Sequence, residues 1–141
     1  ADYLGFEAII DDYGTTDAAN LAKAYAGICY FKLGDTKKAL DLLKSYDGSD
    51  KMIAPSVTGL IGDCLVNEGK VKDGIGYFEK AASQADNEVI SPVYLKKAGL
   101  AYESLNQPKD AVKAYTTIKE KYFNSLEAAD IDKYIARASA K

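Results

Sequence analysis

The chain repeats itself with a period near 35 residues, and that period leaves few folds open to it. Ala26-Gly27-Ile28-Cys29-Tyr30 falls on Ile61-Gly62-Asp63-Cys64-Leu65, and both fall on Ala98-Gly99-Leu100-Ala101-Tyr102. The three glycines stand 35 and 37 residues apart. Seven residues after each comes Gly34, Gly69 or Asn106. Next come Ala39, Gly74 or Ala111, then Leu40, Ile75 or Val112, and finally Leu43, Phe78 or Tyr115. A fixed period of this length is the mark of stacked supersecondary units that each bury a face on the next.

Each recurring position has a physical reason. Small residues at 27, 62 and 99, facing small residues at 39, 74 and 111, let two helices approach closely. Gly34, Gly69 and Asn106 tolerate the left-handed backbone that closes a helix. Pro108 suits the first turn of the next helix, and Pro55 and Pro92 mark two further helix starts, with Ser91 placed to cap the second. Between these marks the apolar residues keep helical spacing, as in Tyr25, Ile28, Cys29 and Phe31, or Ala111, Val112, Tyr115 and Ile118. The pattern predicts helices at 3–13, 17–33, 36–46, 54–68, 71–84, 91–105, 108–122 and 125–139. Variation in period falls at 47–52 and 85–90, where loops absorb it.

The expected fold is all-α: an α-solenoid of antiparallel helix pairs in one domain spanning 1–141. It holds three full repeats (17–52, 53–89 and 90–123), an N-terminal half repeat at 3–13 and a capping helix within 124–141. Phe6-Glu-Ala-Ile9-Ile-Asp-Asp-Tyr13 matches Tyr115-Thr-Thr-Ile118-Lys-Glu-Lys-Tyr122 position for position, so it reads as the second helix of a repeat begun upstream. We expect a processed or trimmed chain, since it opens at Ala1 within a helix. At the other end Ile131, Tyr134, Ile135 and Ala138 form one apolar stripe, and Asn124 with Glu127 resembles a capping box. Such a helix, apolar inside and polar outside, closes a solenoid against water.

Composition excludes several functions. The chain has no histidine, which removes the commonest general base and metal ligand. Net charge is −3, against a general nucleic-acid binder. Residues 1–70 carry 7 Lys against 11 acids, and residues 71–141 carry 10 Lys and Arg137 against 10 acids. The second half is therefore the more basic, as a solvated mixed-charge surface. Apolar runs are too short and interrupted to span a membrane. Cys29 and Cys64 hold one slot in successive repeats, on helices about 8–10 Å apart, beyond the reach of a relaxed disulfide; both read as small core residues. Asp11-Asp12 and the acids Glu127, Asp130 and Asp132 read as solvated helix faces. Gly69-Lys-Val-Lys-Asp-Gly74-Ile-Gly76 lacks the Gly-Lys-Ser/Thr ending of a phosphate loop. The tyrosines fall mostly on helix-packing positions. No residue set meets the tests of a catalytic site, so we expect no enzyme, cofactor, metal or small-molecule substrate.

The repeated positions resemble the tetratricopeptide repeat family. Its small, glycine, aromatic, glycine, small and aromatic positions correspond to Ala26, Gly27, Tyr30, Gly34, Ala39 and Leu43, then to Ile61, Gly62, Leu65, Gly69, Gly74 and Phe78, then to Ala98, Gly99, Tyr102, Asn106, Ala111 and Tyr115. Leu65 departs from the aromatic, and the proline that usually closes each repeat is missing. The aromatic-x-x-Ile-x-x-x-Tyr helix ends are similar to those of bacterial-envelope members, some carried on one N-terminal membrane helix and facing the periplasm. That resemblance implies a scaffold on the periplasmic side of a membrane-anchored protein, with a cytoplasmic location as the alternative.

In this family the first helix of each pair lines a concave groove for a partner protein or peptide. By position, the resemblance implies Leu21, Ala24, Ile28, Phe31 and Lys32 in the first repeat. The second contributes Ser56, Gly59, Asp63, Val66 and Asn67, and the third Val93, Lys96, Leu100, Glu103 and Ser104. The groove would be apolar around Ile28 and Phe31 and charged around Asp63, Lys96 and Glu103. Members that clamp a C-terminal carboxylate use basic and amide side chains where this chain has Ala24, Ile28, Leu60, Val93 and Lys97; only one is basic, so that mode is excluded. The rival expectation is a homo-oligomer stacked through the open N-terminal face, with Leu4, Phe6, Ile9 and Ile10 to cover.

Overall fold

The computed structural model describes residues 2–14 and 16–141, with side chains from residue 5 onward. Eight α-helices follow in chain order: α1 Asp2–Tyr13, α2 Asp17–Lys32, α3 Thr36–Lys44, α4 Ile53–Asn67, α5 Val71–Ala85, α6 Ser91–Ser104, α7 Pro108–Lys121 and α8 Ile131–Ser139. No strand occurs among the described residues. Each helix packs on the next along the chain, and α2 also touches α4, which is the contact pattern of a helical solenoid.

The turns inside the three pairs are copies of one another. Gly34, Gly69 and Asn106 have φ of +83°, +79° and +56°. In each, the following N–H reaches back to the carbonyl at the aromatic position: Asp35 to Tyr30 at 3.0 Å, Lys70 to Leu65 at 2.9 Å and Gln107 to Tyr102 at 2.9 Å. This left-handed closure reverses the chain within a few residues, so the two helices must lie side by side. The small positions then set how closely they lie. A Cβ on Gly62 would stand 2.7 Å from the Phe78 ring, and one on Gly99 would stand 2.3 Å from the Tyr115 ring.

The core runs the length of the stack. Leu40, Leu43, Val57, Ile61 and Leu65 join α3 to α4. Ile75, Phe78, Ala98 and Ala101 join α5 to α6, and Tyr115, Ile118, Ile131 and Ala138 join α7 to α8. Cys64 is fully buried, and burial pushes its thiol up to about 11. Cys29 is only half-buried, and both cysteines are free thiols.

The loops between repeats are pinned by amide and carboxylate side chains. Asp47 N–H donates to Asn20 Oδ1 at 2.7 Å, and Asp50 accepts from the N–H groups of Met52 and Ile53 to cap α4. Its carboxyl is held below the usual range, chiefly by the Ile53 N–H. Asn87 Oδ1 accepts from Val89 and Ile90 ahead of α6.

Three local expectations are corrected. Ser91 does not cap α6 but is its first residue. Fully buried, it donates to the Ala82 carbonyl at 2.7 Å and accepts from Asn87 N–H at 3.0 Å, tying the turn to α5. The cap near the C-terminus is Ser125, which accepts from Ala128 N–H at 3.2 Å, and not Asn124. The segment 125–139 is not one helix: a 3₁₀ turn at Glu127–Asp130 precedes α8, because that serine closes a tighter turn first.

Candidate functional site

Of the positions implied for a groove on α2, α4 and α6, Ala24 and Gly59 are buried and the rest exposed or half-exposed, and eight of them line two separate concavities. The first lies between α2 and α4 and encloses about 190 Å³. Leu21, Ala24 and Ile28 line it from α2, and Ser56 from α4. Ala24 is 2% exposed and forms floor, whereas Leu21 and Ile28 are half-exposed and form wall. Tyr25, Met52, Ile53, Val57 and Leu60 complete the lining. Almost every lining group is apolar, so water here has few partners to bond.

The second concavity, of about 300 Å³, lies between α4 and α6. Asp63, Val66, Leu100 and Ser104 line it, together with Lys97, which approaches both Asp63 carboxylate oxygens at 2.7 Å. Leu100 is 44% exposed, an apolar side chain held toward solvent beside that ion pair. Lys97 is thereby occupied within the chain. Gly59 sits against Tyr94, whose ring occupies the place a Cβ would take. The Tyr94 hydroxyl donates to the Ser56 carbonyl at 3.3 Å, and burial raises its pKa to about 12.

Other implied positions stand apart from both concavities. Phe31 packs against the α2–α4 core, and Lys32 and Asn67 are exposed at the helix ends. Val93 is half-buried. Lys96 and Glu103 are engaged with the C-terminal helix. Lys96 pairs with Asp130 at 3.3 Å and lies 4.4 Å over the Tyr134 ring. Glu103, 7% exposed, receives Arg137, Tyr115 and Lys141. Arg137 first, with help from Tyr115 and Lys141, holds its carboxyl at about 2.

At the N-terminal end Phe6 stacks on Tyr25 with ring centres 5.7 Å apart. Ile9 and Ile10 are half-exposed, and the side chain of Leu4 lies outside the described residues. The sequence missed Tyr25, although it stands three residues before Ile28 on the same face. Met52 and Ile53 follow an irregular loop with no repeat equivalent, so only the fold brings them to α2. Among the described residues no three His, Cys, Asp or Glu side chains gather to hold a metal ion, and no helix is long and apolar enough to cross a membrane.

This geometry defines a tetratricopeptide-like α-solenoid. Residues 24–46 and 94–125 match the family model of the tetratricopeptide repeat. Among solved structures, the crystal structure of MamA is similar with a TM-score of 0.70 at 17% identity, over 98% of this chain and 85% of that one. The crystal structure of a set of TPR-like repeats from Podosopora anserina is similar with a TM-score of 0.73 at 12% identity, over 96% of this chain and 72% of that one. A search of curated proteins returned no match. The repeat fold is in general a non-catalytic scaffold for protein interaction.

Proposed function

We propose that this chain is the repeat domain of a protein-interaction scaffold, and that it takes a segment of a partner protein along the faces of α2, α4 and α6. The observation that carries this reading is the apolar concavity between α2 and α4. It is large enough for one or two apolar side chains, and Leu21, Ile28 and Leu60 stay half-exposed around it. A partner residue placed there removes that apolar surface from water, which favours the complex. Leu100 and the Lys97–Asp63 pair lie further along the same helices and provide an apolar contact beside polar ones. That combination suits an extended or helical segment anchored by apolar side chains. The envelope-type helix ends support a partner within a bacterial envelope complex, with the scaffold on the periplasmic side of a membrane-anchored protein. A photo-crosslinking residue at exposed Ser56 tests the reading. It should trap a discrete protein in the native cell, whereas the same residue at Lys113 should not. Trapping at Lys113 alone would sink it.

Self-association remains the second reading, favoured by the half-exposed Ile9 and Ile10 of α1. In that case the 141-residue chain should sediment as a dimer or larger species. A monomer at high concentration would remove it.

A further inference from the structure

Two helix junctions in the stack share a tyrosine–glutamate pair, and the junction between them lacks it. At the first, the Tyr30 hydroxyl of α2 donates to Glu7 of α1, and Lys38 of α3 joins both. At the third, the Tyr102 hydroxyl of α6 donates to Glu79 of α5 at 2.8 Å. At the second, Leu65 stands at the tyrosine's position in the repeat and Lys44 at the glutamate's. A pocket of about 520 Å³ opens there between α3 and α5, with Leu65 among its lining residues. Gly76 widens it, since a Cβ at that position would meet nothing within 4 Å. The equivalent positions carry Asp41 and Lys113.

The walls are cationic. Lys44, Lys72 and Lys80 are all exposed, against one lining carboxylate, Asp73. Among the described residues none of the three lysines makes an ion pair. A second pocket of about 240 Å³ shares Lys44, Tyr77 and Lys80 and continues the cleft toward Tyr46, where Asp47 adds a second lining carboxylate against the three lysines.

We propose that this cleft binds an acidic peptide segment, whose glutamate or aspartate side chains take the seat left by the missing tyrosine. The reversal at Lys44 selects that chemistry. In the flanking junctions a carboxylate accepts from a phenol; here ammonium groups donate, and the complement is an anionic acceptor. The methylenes of a glutamate suit Leu65 and the Tyr77 ring, and its carboxylate reaches the lysines. Continuation of the cleft past Tyr77 suits a run of acids over a single ion. The first pocket lies on α3 and α5 with Leu65 of α4 in its lining, and shares no lining residue with the α2–α4 concavity, so the site stands or falls independently of it.

The test is fluorescence anisotropy of a labelled oligoglutamate against the whole 141-residue chain at about 50 mM salt, where surface charges are only partly screened. Saturable binding is expected. Lys72→Gln with Lys80→Gln, both at exposed positions, should weaken it by about tenfold, and Lys109→Gln with Lys113→Gln by no more than about twofold. Lys44→Glu with Leu65→Tyr, which rebuilds the flanking arrangement, should abolish it while helicity by circular dichroism persists. Equal loss in the two lysine pairs would mean general charge attraction and overturn the proposal. So would the absence of saturation, or displacement by inorganic phosphate as effective as by unlabelled oligoglutamate.

Discussion

The Tyr115 hydroxyl donates to the Glu103 carboxylate at 2.8 Å, so the ring that packs against Gly99 also fixes the acid that receives the C-terminal helix. Arg137 of α8 and Lys141 just beyond it close on the same carboxylate. Closure of the stack therefore rests on a charge network as well as on the apolar stripe of Ile131, Ile135 and Ala138.

That network makes stability depend on pH in a defined window. Glu103 falls from an ordinary 4.5 to about 2, chiefly through Arg137, because folding favours its ionised form. The contribution is complete above about pH 4.5 and is lost as pH falls through about 2. Arg137 and Lys141 are each 47% exposed, so water screens the attraction. We expect Glu103→Gln to cost about 1 kcal/mol at pH 7, or roughly 3–5 °C in Tm. Thermal melts of the two proteins should converge near pH 2; an equal gap at both pH values would contradict the assignment.

Two glycines should respond to alanine with opposite signs. Gly62 has the Phe78 ring at 2.7 Å and the Gly74 carbonyl at 3.0 Å from where a Cβ would sit, and Phe78 is 2% exposed. Overpacking there outweighs the gain in helix propensity, and Gly62→Ala should destabilise by about 1–3 kcal/mol. Gly76 has open space in mid-helix, so Gly76→Ala should stabilise by up to about 1 kcal/mol. Urea unfolding of both variants checks the pair.

The Ser91 hydroxyl bonds both ways while fully buried. Ser91→Ala should cost about 1–2 kcal/mol, since the Ala82 carbonyl and the Asn87 N–H both lose a partner. Chemical denaturation measures it, and hydrogen exchange should show faster opening of the 86–90 turn. An unchanged midpoint would mean that water replaces the hydroxyl.

The helix pairs were legible because period, glycine and apolar spacing all point to one fold. Gly34, Gly69 and Asn106 marked the reversals, and all three adopt positive φ. The role of Ser91 was not legible, because a serine beside a helix start looks like a cap whatever its hydroxyl reaches, and Ser125 was passed over because Asn124 beside it offers the same capping chemistry. For the groove, the family resemblance alone supplied positions on α2, α4 and α6, and two of them, Ala24 and Gly59, are buried. It did not reveal that Lys96 and Glu103 engage the C-terminal segment, since those partners lie 34 to 38 residues away. It also missed Met52 and Ile53, which reach the α2 face only through the fold of an irregular loop.

The central claim is that the α2–α4 concavity holds a partner protein, and paired capture from native cell extract tests it most directly. The baits are the wild-type chain and Ile28→Asp with Ser56→Glu, which place charge at the wall while leaving the buried core intact. Bound proteins are quantified by mass spectrometry, with helicity of both baits verified. The account predicts a protein retained by the wild type and lost from the variant. Equal retention by both would contradict it.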